Sequence, residues 1–437
     1  MVDVLNDTIA MVLAGGRGAD LGPLTMIRPK SAMPFGGIYR IIDFPLTNLM
    51  RSGIHRVGVL SQYRSSSLIE HVGVGEAWNL FGRRRGVKIL PPFRVGEEST
   101  VKDWYRGTAD AVYHNLNYVR GQDPEIIVIL SGDHVYSMDY YPLIRFHKEK
   151  RADLTIALVA VPPEDASRFG VALLDKSSRV TRYEEKPEQP FSNLASMTVY
   201  VFNRETLINR IEENNREGST YQIYSEVIPR MIEDGDRVFG YVFDGYWNYT
   251  RTPDEYYRAS MDVLGLRPRV DLTRWQVRTK LKLRRLGDLP PARFGKGCSV
   301  EKSLISGGCV IRGEVSKSVL SPCVTVEKGA RVENSVIFHE CVIGAGSVVK
   351  NAILDKRVLV GAGSVVGKGN KRIRNYMMPD QLKSGLTIVG RGADIPEEAV
   401  IGTNCMVYPD LTRDDFVNPV IPDGSIVCHR VWDKDGR

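Results

Sequence analysis

A cluster of glycines near the start of the chain has a spacing suited to phosphate binding. Gly15, Gly16 and Gly18 follow the apolar run 8–14, and glycines after a strand expose backbone N–H groups that can cradle phosphates. The pattern is not a Walker loop, because no Gly-Lys-Ser/Thr follows. It is not a dinucleotide fingerprint either, since Leu21 occupies the place of the third glycine. Taken alone, the motif is equally compatible with a plain tight turn.

An acidic residue follows a second apolar run. The strand-like segment 126–130 leads into Ser131-Gly132-Asp133, and ligands of open α/β sheets bind beyond the carboxyl ends of the strands. Mg²⁺ prefers one or two carboxylates together with phosphate oxygens. Asp133 is therefore placed to hold Mg²⁺, whereas Asp139 lies closer to a helix-capping position.

The elements that position these residues alternate between strand and helix. Further strand-like runs lie at 57–60, 154–159 and 197–202, with helical stretches at 110–119 and 204–214. Such alternation over about 250 residues predicts βαβ units and a mostly parallel sheet.

The last third of the chain has a different period. Val336, Val342, Val348, Leu354, Val360 and Val366 recur every six residues, with small and turn-forming residues between them. A hexapeptide repeat is typical of a parallel β-helix, in which each coil buries its apolar positions against the next. The predicted domains are residues 1–263 and the β-helix 295–437, joined by a basic, proline-containing linker at 264–294.

Composition narrows the possible partners. The formal charge of +7, from 59 basic and 52 acidic residues, suits anionic ligands, but nucleic acid would require a concentrated basic stripe. The run Arg83-Arg84-Arg85 is better explained as a solvated loop. No apolar run is long enough to span a bilayer and no signal peptide is visible, so a cytoplasmic location without membrane association is expected. The six cysteines lack metal-type spacing and are expected to be buried, reduced thiols.

Residues 13–45, LAGGRGADLGPLTMIRPKSAMPFGGIYRIIDFP, resemble the opening signature of the sugar-nucleotide pyrophosphorylases. The form PFGGIYRIIDF points to the ADP-glucose branch, the glucose-1-phosphate adenylyltransferases. The runs WYRGTADAV at 104–112, EEKP at 184–187 and LASM at 194–197 are similar to further family motifs. The resemblance implies a Rossmann-like (GT-A-like) nucleotidyltransferase domain with a C-terminal left-handed β-helix. It also implies formation of ADP-glucose and pyrophosphate from ATP and glucose 1-phosphate, at the start of glycogen or starch synthesis.

The resemblance also assigns the family's site residues to matching positions of this sequence. The resemblance implies that Lys30, Asp133 and Lys186 are catalytic, with Asp133 as the Mg²⁺ ligand. It places Leu13, Ala14, Gly15, Gly16, Gln62, Gly107 and Thr108 at ATP, and Tyr105, Gly170, Glu185, Lys186 and Ser196 at the glucose phosphate. Arg28 and Arg40 match positions associated with phosphorylated effectors in these enzymes, which are usually tetramers. For each arginine a surface salt bridge is the competing interpretation.

Several positions depart from the family pattern. Asp20 stands where the glycine loop usually has a cation, and Ser31 replaces a proline beside Lys30. In the segment 246–252, Tyr249 replaces a second magnesium-ligating aspartate, and Arg251 replaces a glycine. Thr198 also replaces a glycine, at a place where glycine would allow close approach of a ligand. These departures predict reduced or absent activity of the chain alone.

Two interpretations within the family therefore remain: a working adenylyltransferase, or a regulatory subunit that modulates a catalytic paralogue in a hetero-tetramer. An alternative from another class is an acyltransferase that uses the β-helix for its substrate. That activity would require a catalytic histidine in a coil loop, for which His339 is the candidate. The competing interpretation of His339 is a solvated loop residue.

Overall fold

A computed structural model describes residues 5–82, 85–92 and 104–429, so Arg83 and Arg84 of the basic run lie outside the described residues. The chain divides into two compact units, each built from two segments. Unit 1 comprises residues 1–16 and 42–247, and unit 2 comprises residues 17–41 and 248–437. The boundaries 1–263, 264–294 and 295–437 stay a prediction about domains. The compact units differ from them because residues 17–41 group with the C-terminal part of the chain.

Unit 1 contains a nine-stranded sheet with the order β10-β9-β11-β6-β1-β4-β5, in which β8 pairs with β11 and β12. The strands are β1 (Thr8–Leu13), β4 (Arg56–Leu60), β5 (Gly86–Leu90), β6 (Ile126–Ser131), β8 (Leu154–Ala160), β9 (Gly170–Leu174), β10 (Val180–Glu185), β11 (Leu194–Asn203) and β12 (Val238–Val242). The four strands β6-β1-β4-β5 are parallel, while β11 runs antiparallel to its neighbours. This mixed, mostly parallel sheet confirms the predicted class.

In the described part of unit 1, seven helices accompany this sheet, and a further helix belongs to unit 2. They are α1 (Asp43–Arg51), α2 (Ser66–Val72), α3 (Thr108–Tyr113), α4 (Leu116–Gln122), α5 (Tyr141–Glu149), α6 (Arg204–Asn214), α7 (Ile228–Glu233) and, in unit 2, α8 (Pro253–Met261). The helix predicted at 110–119 is two helices, because Asn115 turns its side-chain amide back onto the Ala111 carbonyl at 2.8 Å. The short strand β7 (His134–Tyr136) follows β6.

Unit 2 contains three parallel sheets that together form the β-helix. Their orders are β14-β17-β20-β23-β26-β29, β15-β18-β21-β24-β27-β30-β32 and β16-β19-β22-β25-β28-β31-β33. The first comprises Arg293–Phe294, Val310–Ile311, Thr325–Val326, Val342–Ile343, Leu359–Val360 and Asp394–Ile395. The second comprises Ser299–Glu301, Glu314–Ser316, Arg331–Glu333, Val348–Lys350, Val365–Val366, Val400–Ile401 and Val420–Ile421. The third comprises Leu304–Ile305, Val319–Leu320, Val336–Ile337, Ala352–Leu354, Thr387–Val389, Met406–Val407 and Ile426–Val427. The predicted left-handed β-helix is thus confirmed.

The interior of the β-helix differs in phase from the predicted repeat. Ile343 and Val349 are fully buried, whereas their neighbours Val342 and Val348 are only partly buried. Val336 pairs with Ile353 in the next coil, although six-residue steps from Val336 lead to Leu354. A coil is therefore one residue shorter than three full hexapeptides, and the uninterrupted spacing of six does not follow the interior wall throughout.

Residues 17–41 pack on the β-helix side of unit 2. Their elements are two 3₁₀ helices, Ala19–Thr25 and Lys30–Ala32, and the strand pair β2 (Pro34–Phe35) and β3 (Tyr39–Arg40). Leu21 and Leu24 are fully buried, and Gly22, at φ +55°, approaches the Met406 sulfur so closely that a Cβ would lie 3.1 Å from it. Strand β13 (Trp247–Tyr249) precedes α8. None of the helices in the described ranges has the length and apolarity required to cross a membrane.

Candidate active site

The glycine turn of unit 1 lies where three parallel strands end. Ala14 donates to the Leu60 carbonyl at the end of β4 (2.9 Å), and Tyr63 donates to the Gly15 carbonyl (3.3 Å). A Cβ on Gly15 would lie 3.1 Å from the Gln62 Cβ, whereas a Cβ on Gly16 would meet open space. The structure therefore brings together four of the residues predicted to bind ATP: Ala14, Gly15, Gly16 and Gln62.

Gln62 connects this turn to Tyr105. The Tyr105 backbone N–H donates to Gln62 Oε1, and Gln62 Nε2 donates to the Tyr105 carbonyl at 3.5 Å. The Tyr105 hydroxyl donates to the Leu90 carbonyl at 3.2 Å and accepts from Asn115 Nδ2 at 2.9 Å. Burial raises the pKa of the Tyr105 phenol. Tyr105 is thus a fixed, neutral wall of the site, held at both its backbone and its hydroxyl.

The start of α3 is held by a segment that sequence reasoning missed. Thr108 Oγ1 donates to Gln222 Oε1 at 3.1 Å and accepts from the Ile223 N–H at 2.9 Å. The Ala109 N–H donates to the Tyr221 carbonyl at 2.9 Å. A side chain at Gly107 would overlap this Tyr221 carbonyl. Tyr221 and Gln222 therefore position the Gly107–Thr108 peptide, and no pattern in the sequence marks them.

Asp133 lies beyond the carboxyl end of β6, beside the glycine turn. Leu13 pairs with Ser131, and the Gly132 N–H donates to the Leu13 carbonyl at 2.8 Å. Ser131 Oγ donates to Asp133 Oδ1, and His134 Nε2 lies 3.4 Å from the same oxygen. Within the described ranges, no group of three or more His, Cys, Asp or Glu side chains could hold a metal. The role of Asp133 as a metal ligand stays a prediction.

The residues predicted to bind the glucose phosphate gather on β9, β10 and β11. Gly170 pairs with Glu185 across β9 and β10, and a side chain at Gly170 would overlap the Tyr183 hydroxyl. Lys186 Nζ lies 3.4 Å from Glu185 Oε1. Three of the predicted sugar residues, Gly170, Glu185 and Lys186, are therefore neighbours.

Two buried tyrosines form the base of this group, and the sequence did not single them out. Tyr200, fully buried on β11, lies with its hydroxyl 3.5 Å from Ser196 Oγ. Tyr183 reaches the same region from β10 and overlaps the space above Gly170. Burial raises the pKa of both phenols well above its usual value. Both hydroxyls therefore stay protonated and can only act as hydrogen-bonding groups.

Thr198 has a backbone conformation that favours glycine. Its φ is +54°, at a register shift of β11 against β8 between Ser196 and Tyr200. A β-branched residue in this left-handed region is strained. The structure thus shows a backbone reason for a glycine at this position.

Lys30 lies in unit 2, against the loop that begins at Gly18. Gly18 has φ +65°, and a Cβ there would lie 3.0 Å from the Lys30 Cβ. Thr25 Oγ1 closes the loop by donating to the Gly18 carbonyl at 2.8 Å. The Lys30 ammonium lies 4.0 Å from the centre of the Tyr249 ring, and the Lys30 side chain is buried. The residue that replaces the family's second carboxylate therefore contacts the predicted catalytic lysine directly.

Two further departures of this region, Asp20 and Arg251, contact each other. Arg251 Nε donates to Asp20 Oδ2 at 2.7 Å, across 231 positions of sequence. The Arg251 and Asp20 side chains are 36% and 35% exposed. The backbone of Arg251 is fixed because its N–H donates to Glu255 Oε2 at 2.9 Å. The carboxylate of Asp20 is therefore paired with the guanidinium of Arg251, which lies just before α8.

Arg28 and Arg40 occupy different surroundings within unit 2. Arg28 Nη2 donates to both carboxylate oxygens of Asp355 at 2.9 Å, with side-chain exposures of only 5% and 0%. Arg40 is buried in the β2–β3 pair. The salt bridge weighed for Arg28 exists, but it is internal rather than on the surface. An effector role for these arginines stays a prediction.

His339 and the cysteines were the residues considered for other chemistries. His339, expected in solvent, is instead buried at 7% exposure, in the turn between the strands Val336–Ile337 and Val342–Ile343. The six cysteines, which all lie among the described residues, form no disulfide with one another. Cys309, Cys341 and Cys405 are buried as expected, while Cys298, Cys323 and Cys428 are half-buried.

Comparison with known proteins places these motifs in context. Residues 9–265 match the family model described as "Nucleotidyl transferase", and residues 290–389 match "GlmU-like, C-terminal hexapeptide". The chain is 42% identical to a glucose-1-phosphate adenylyltransferase of Thermotoga maritima, over 98% of this chain and 100% of the relative. It is 42% identical to the protein of that name from Thermomicrobium roseum (97% and 98% covered). It is 39% identical to the one from Acetivibrio thermocellus (94% and 95% covered).

Proposed function

Because the chain belongs to the glucose-1-phosphate adenylyltransferase family, we propose that it transfers the adenylyl group of ATP to glucose 1-phosphate, releasing pyrophosphate and ADP-glucose. The observation that carries the proposal is the similarity over nearly the whole chain, together with the motif residues at the ends of β1, β4 and β6. The product would feed synthesis of glycogen or a related glucan.

The reaction requires no general base. Glucose 1-phosphate already has an anionic phosphate oxygen, which attacks the α-phosphorus of ATP in line while the bond to pyrophosphate breaks. Catalysis therefore depends on positioning the two substrates and on neutralising charge at the phosphates. Lys30 and Lys186 are the cations assigned to the phosphates. Gly15, Gly16 and the Gly107–Thr108 peptide are assigned to ATP.

Sugar binding is assigned to the group on β9–β11. Glu185 and Ser196 offer an acceptor and a hydroxyl for the hydroxyl groups of glucose, and the Ser196 hydroxyl donates to the protonated Tyr200 hydroxyl at 3.5 Å. Gly170 leaves room for the Tyr183 hydroxyl, which a Cβ at this position would overlap. Tyr105 is also assigned to the glucose phosphate, and its hydroxyl is already hydrogen-bonded to Leu90 and Asn115.

Mg²⁺ is the proposed metal. The residues fit it because Asp133 offers a carboxylate beside the glycine turn, and Mg²⁺ prefers one or two carboxylates together with phosphate oxygens. When bound, Mg²⁺ would supply positive charge at the triphosphate. Ser131 and His134 hold the Asp133 carboxylate in place for it.

The regulatory-subunit alternative is not favoured by any observation. The relatives that match the whole chain are named as adenylyltransferases, and the acid at Asp20 is paired with Arg251. We further propose, by analogy with the family, a cytoplasmic tetramer controlled by phosphorylated metabolites, with Arg28 and Arg40 as the predicted effector residues.

The direct test measures pyrophosphate release by the purified full chain with ATP, glucose 1-phosphate and Mg²⁺. Glu185→Gln should raise the KM for glucose 1-phosphate at least tenfold while leaving the KM for ATP unchanged. The matched control is Glu184→Gln, because Glu184 is the residue before Glu185 on β10, and its exposed side chain forms an ion pair with Arg182. Absence of turnover by the wild-type chain at saturating substrates would refute the proposal.

A further inference from the structure

The Asp20–Arg251 pair lies in the loop region that carries Lys30. Asp20 lies in the first turn of the 3₁₀ helix Ala19–Thr25, which follows Gly18, and Gly18 lies against the Lys30 side chain. Arg251 is two residues from Tyr249, whose ring contacts the Lys30 ammonium. The two segments therefore meet twice, once through Lys30 and Tyr249 and once through Asp20 and Arg251.

The pair contributes little to folding. Each side chain is more than one-third exposed, and exposed ion pairs are typically worth only about 0–1 kcal/mol. Its electrostatic effect on a nearby polyanion is larger, because an unpaired carboxylate in this loop would repel a triphosphate. With both partners present, the net charge contributed at this point is zero.

The geometry of Arg251 suits compensation of that charge. Its backbone N–H is bound to Glu255, which also forms the capping box of α8 with Thr252. The backbone of Arg251 is therefore held in place while its side chain reaches Asp20. The 2.7 Å contact brings the positive charge directly to the Asp20 carboxylate. A more distant surface cation would be screened within a Debye length of about 8–10 Å.

We infer that Asp20 and Arg251 form a compensating charge pair, whose net charge sets the affinity of the chain for the ATP triphosphate. Arg251 is thus a positioning residue that neutralises Asp20, and Tyr249 and Arg251 together adapt the end of β13 and the residues after it to an acidic glycine loop. The inference rests on the proposed use of ATP, but it concerns binding and is testable without turnover.

The experiment measures the dissociation constant of Mg-ATP by calorimetry for the full chain and three variants. Asp20→Asn leaves a net charge of +1, Arg251→Gln leaves −1, and the double variant returns to zero. We expect Arg251→Gln to weaken binding about tenfold, Asp20→Asn to tighten it severalfold, and the double variant to lie within twofold of wild type. These differences should shrink at 0.5 M salt, because screening weakens them.

Two controls separate the inference from other effects. Arg413→Gln removes one charge from an ion pair of similar exposure with Asp394, and it should leave ATP binding unchanged. Thermal unfolding of the variants should stay within about 2 °C of wild type, as expected for exposed pairs.

Three results would overturn the inference. Unchanged binding in Arg251→Gln would remove the role of the charge. A double variant as weak as Arg251→Gln would show that the guanidinium contacts the nucleotide directly and does not act through Asp20. Equal weakening by Arg413→Gln would show a non-specific charge effect. A wild-type chain that binds Mg-ATP but releases no pyrophosphate would instead count against the proposed function, leaving the charge pair testable.

Discussion

The buried ion pair between Arg28 and Asp355 should be a main determinant of how firmly residues 17–41 are held. Both side chains are almost inaccessible, and Asp355 Oδ1 also accepts from the Lys356 N–H at 2.6 Å. Arg28 Nη1 is buried with no hydrogen-bond partner among the described residues, so the guanidinium is only partly compensated. Removing one partner of such a pair leaves a buried, uncompensated charge, which costs about 3–5 kcal/mol.

We therefore expect Arg28→Met to lower the unfolding midpoint by about 10 °C, since 1 kcal/mol corresponds to roughly 2–4 °C for a unit of this size. The double variant Arg28→Met with Asp355→Leu should recover to within about 3 °C of wild type, because it buries no charge. The assay is differential scanning calorimetry of the full chain. The control is Arg312→Met, which breaks an exposed pair with Glu327 and should shift the midpoint by less than about 2 °C.

The reasoning would be refuted if Arg28→Met shifted the midpoint no more than Arg312→Met. It would also be refuted if the double variant were as unstable as the single one, since the cost would then come from lost packing and not from charge. Turnover is a second readout. Arg28→Met should lower kcat, because the loosened segment carries Lys30, and the double variant should restore part of it.

Three further predictions concern unit 1. Burial lowers the pKa of His147 to about 4, so the unfolded chain binds a proton at this histidine more tightly than the folded chain does. The contribution of neutral His147 to the free energy of unfolding should therefore be complete above about pH 6.5. It should fall by roughly 3 kcal/mol as the pH is lowered towards 4. His147→Gln should remove that component from urea titrations recorded across this pH range, and an unchanged pH profile would contradict it. Thr198→Gly should relieve the left-handed strain and raise the unfolding free energy by roughly 0.5–1 kcal/mol, measured by urea unfolding; a loss above about 1 kcal/mol would show that the Thr198 side chain packs favourably. Gln222→Ala should raise the KM for ATP severalfold, because Thr108 loses its anchor, whereas an equal rise in the KM for glucose 1-phosphate would indicate general loosening.

The strands that support the site were predictable because their signal is local. β1 and β6 were predicted to within one residue, since apolar runs that end in glycine or an acid mark buried parallel strands. The β-helix was equally evident from its period. The residues that face the interior of the β-helix could not be predicted in the same way. Adjacent apolar residues such as Val342 and Ile343 lie on opposite sides of a two-residue strand, and the repeat does not show which of them faces inward.

The contacts that govern the charged residues could not be predicted. Asp20 and Arg251 each looked like an isolated departure, and only the fold brings them within 2.7 Å. Tyr249 looked like the loss of a carboxylate, yet its ring contacts Lys30. Both contacts join residues more than 200 positions apart in the chain. A single sequence contains no local pattern that indicates such long-range contacts.

The grouping of residues 17–41 with the β-helix has a consequence for how the protein is made. Arg28 emerges from the ribosome early, but its partner Asp355 lies 327 positions later. At roughly 5–20 residues per second, this segment waits on the order of 15–65 seconds for the surface that covers Leu21 and Leu24. A ribosome-bound chain of only the first 263 residues would lack that surface, so the segment that carries Lys30 becomes protected from proteases only late in synthesis.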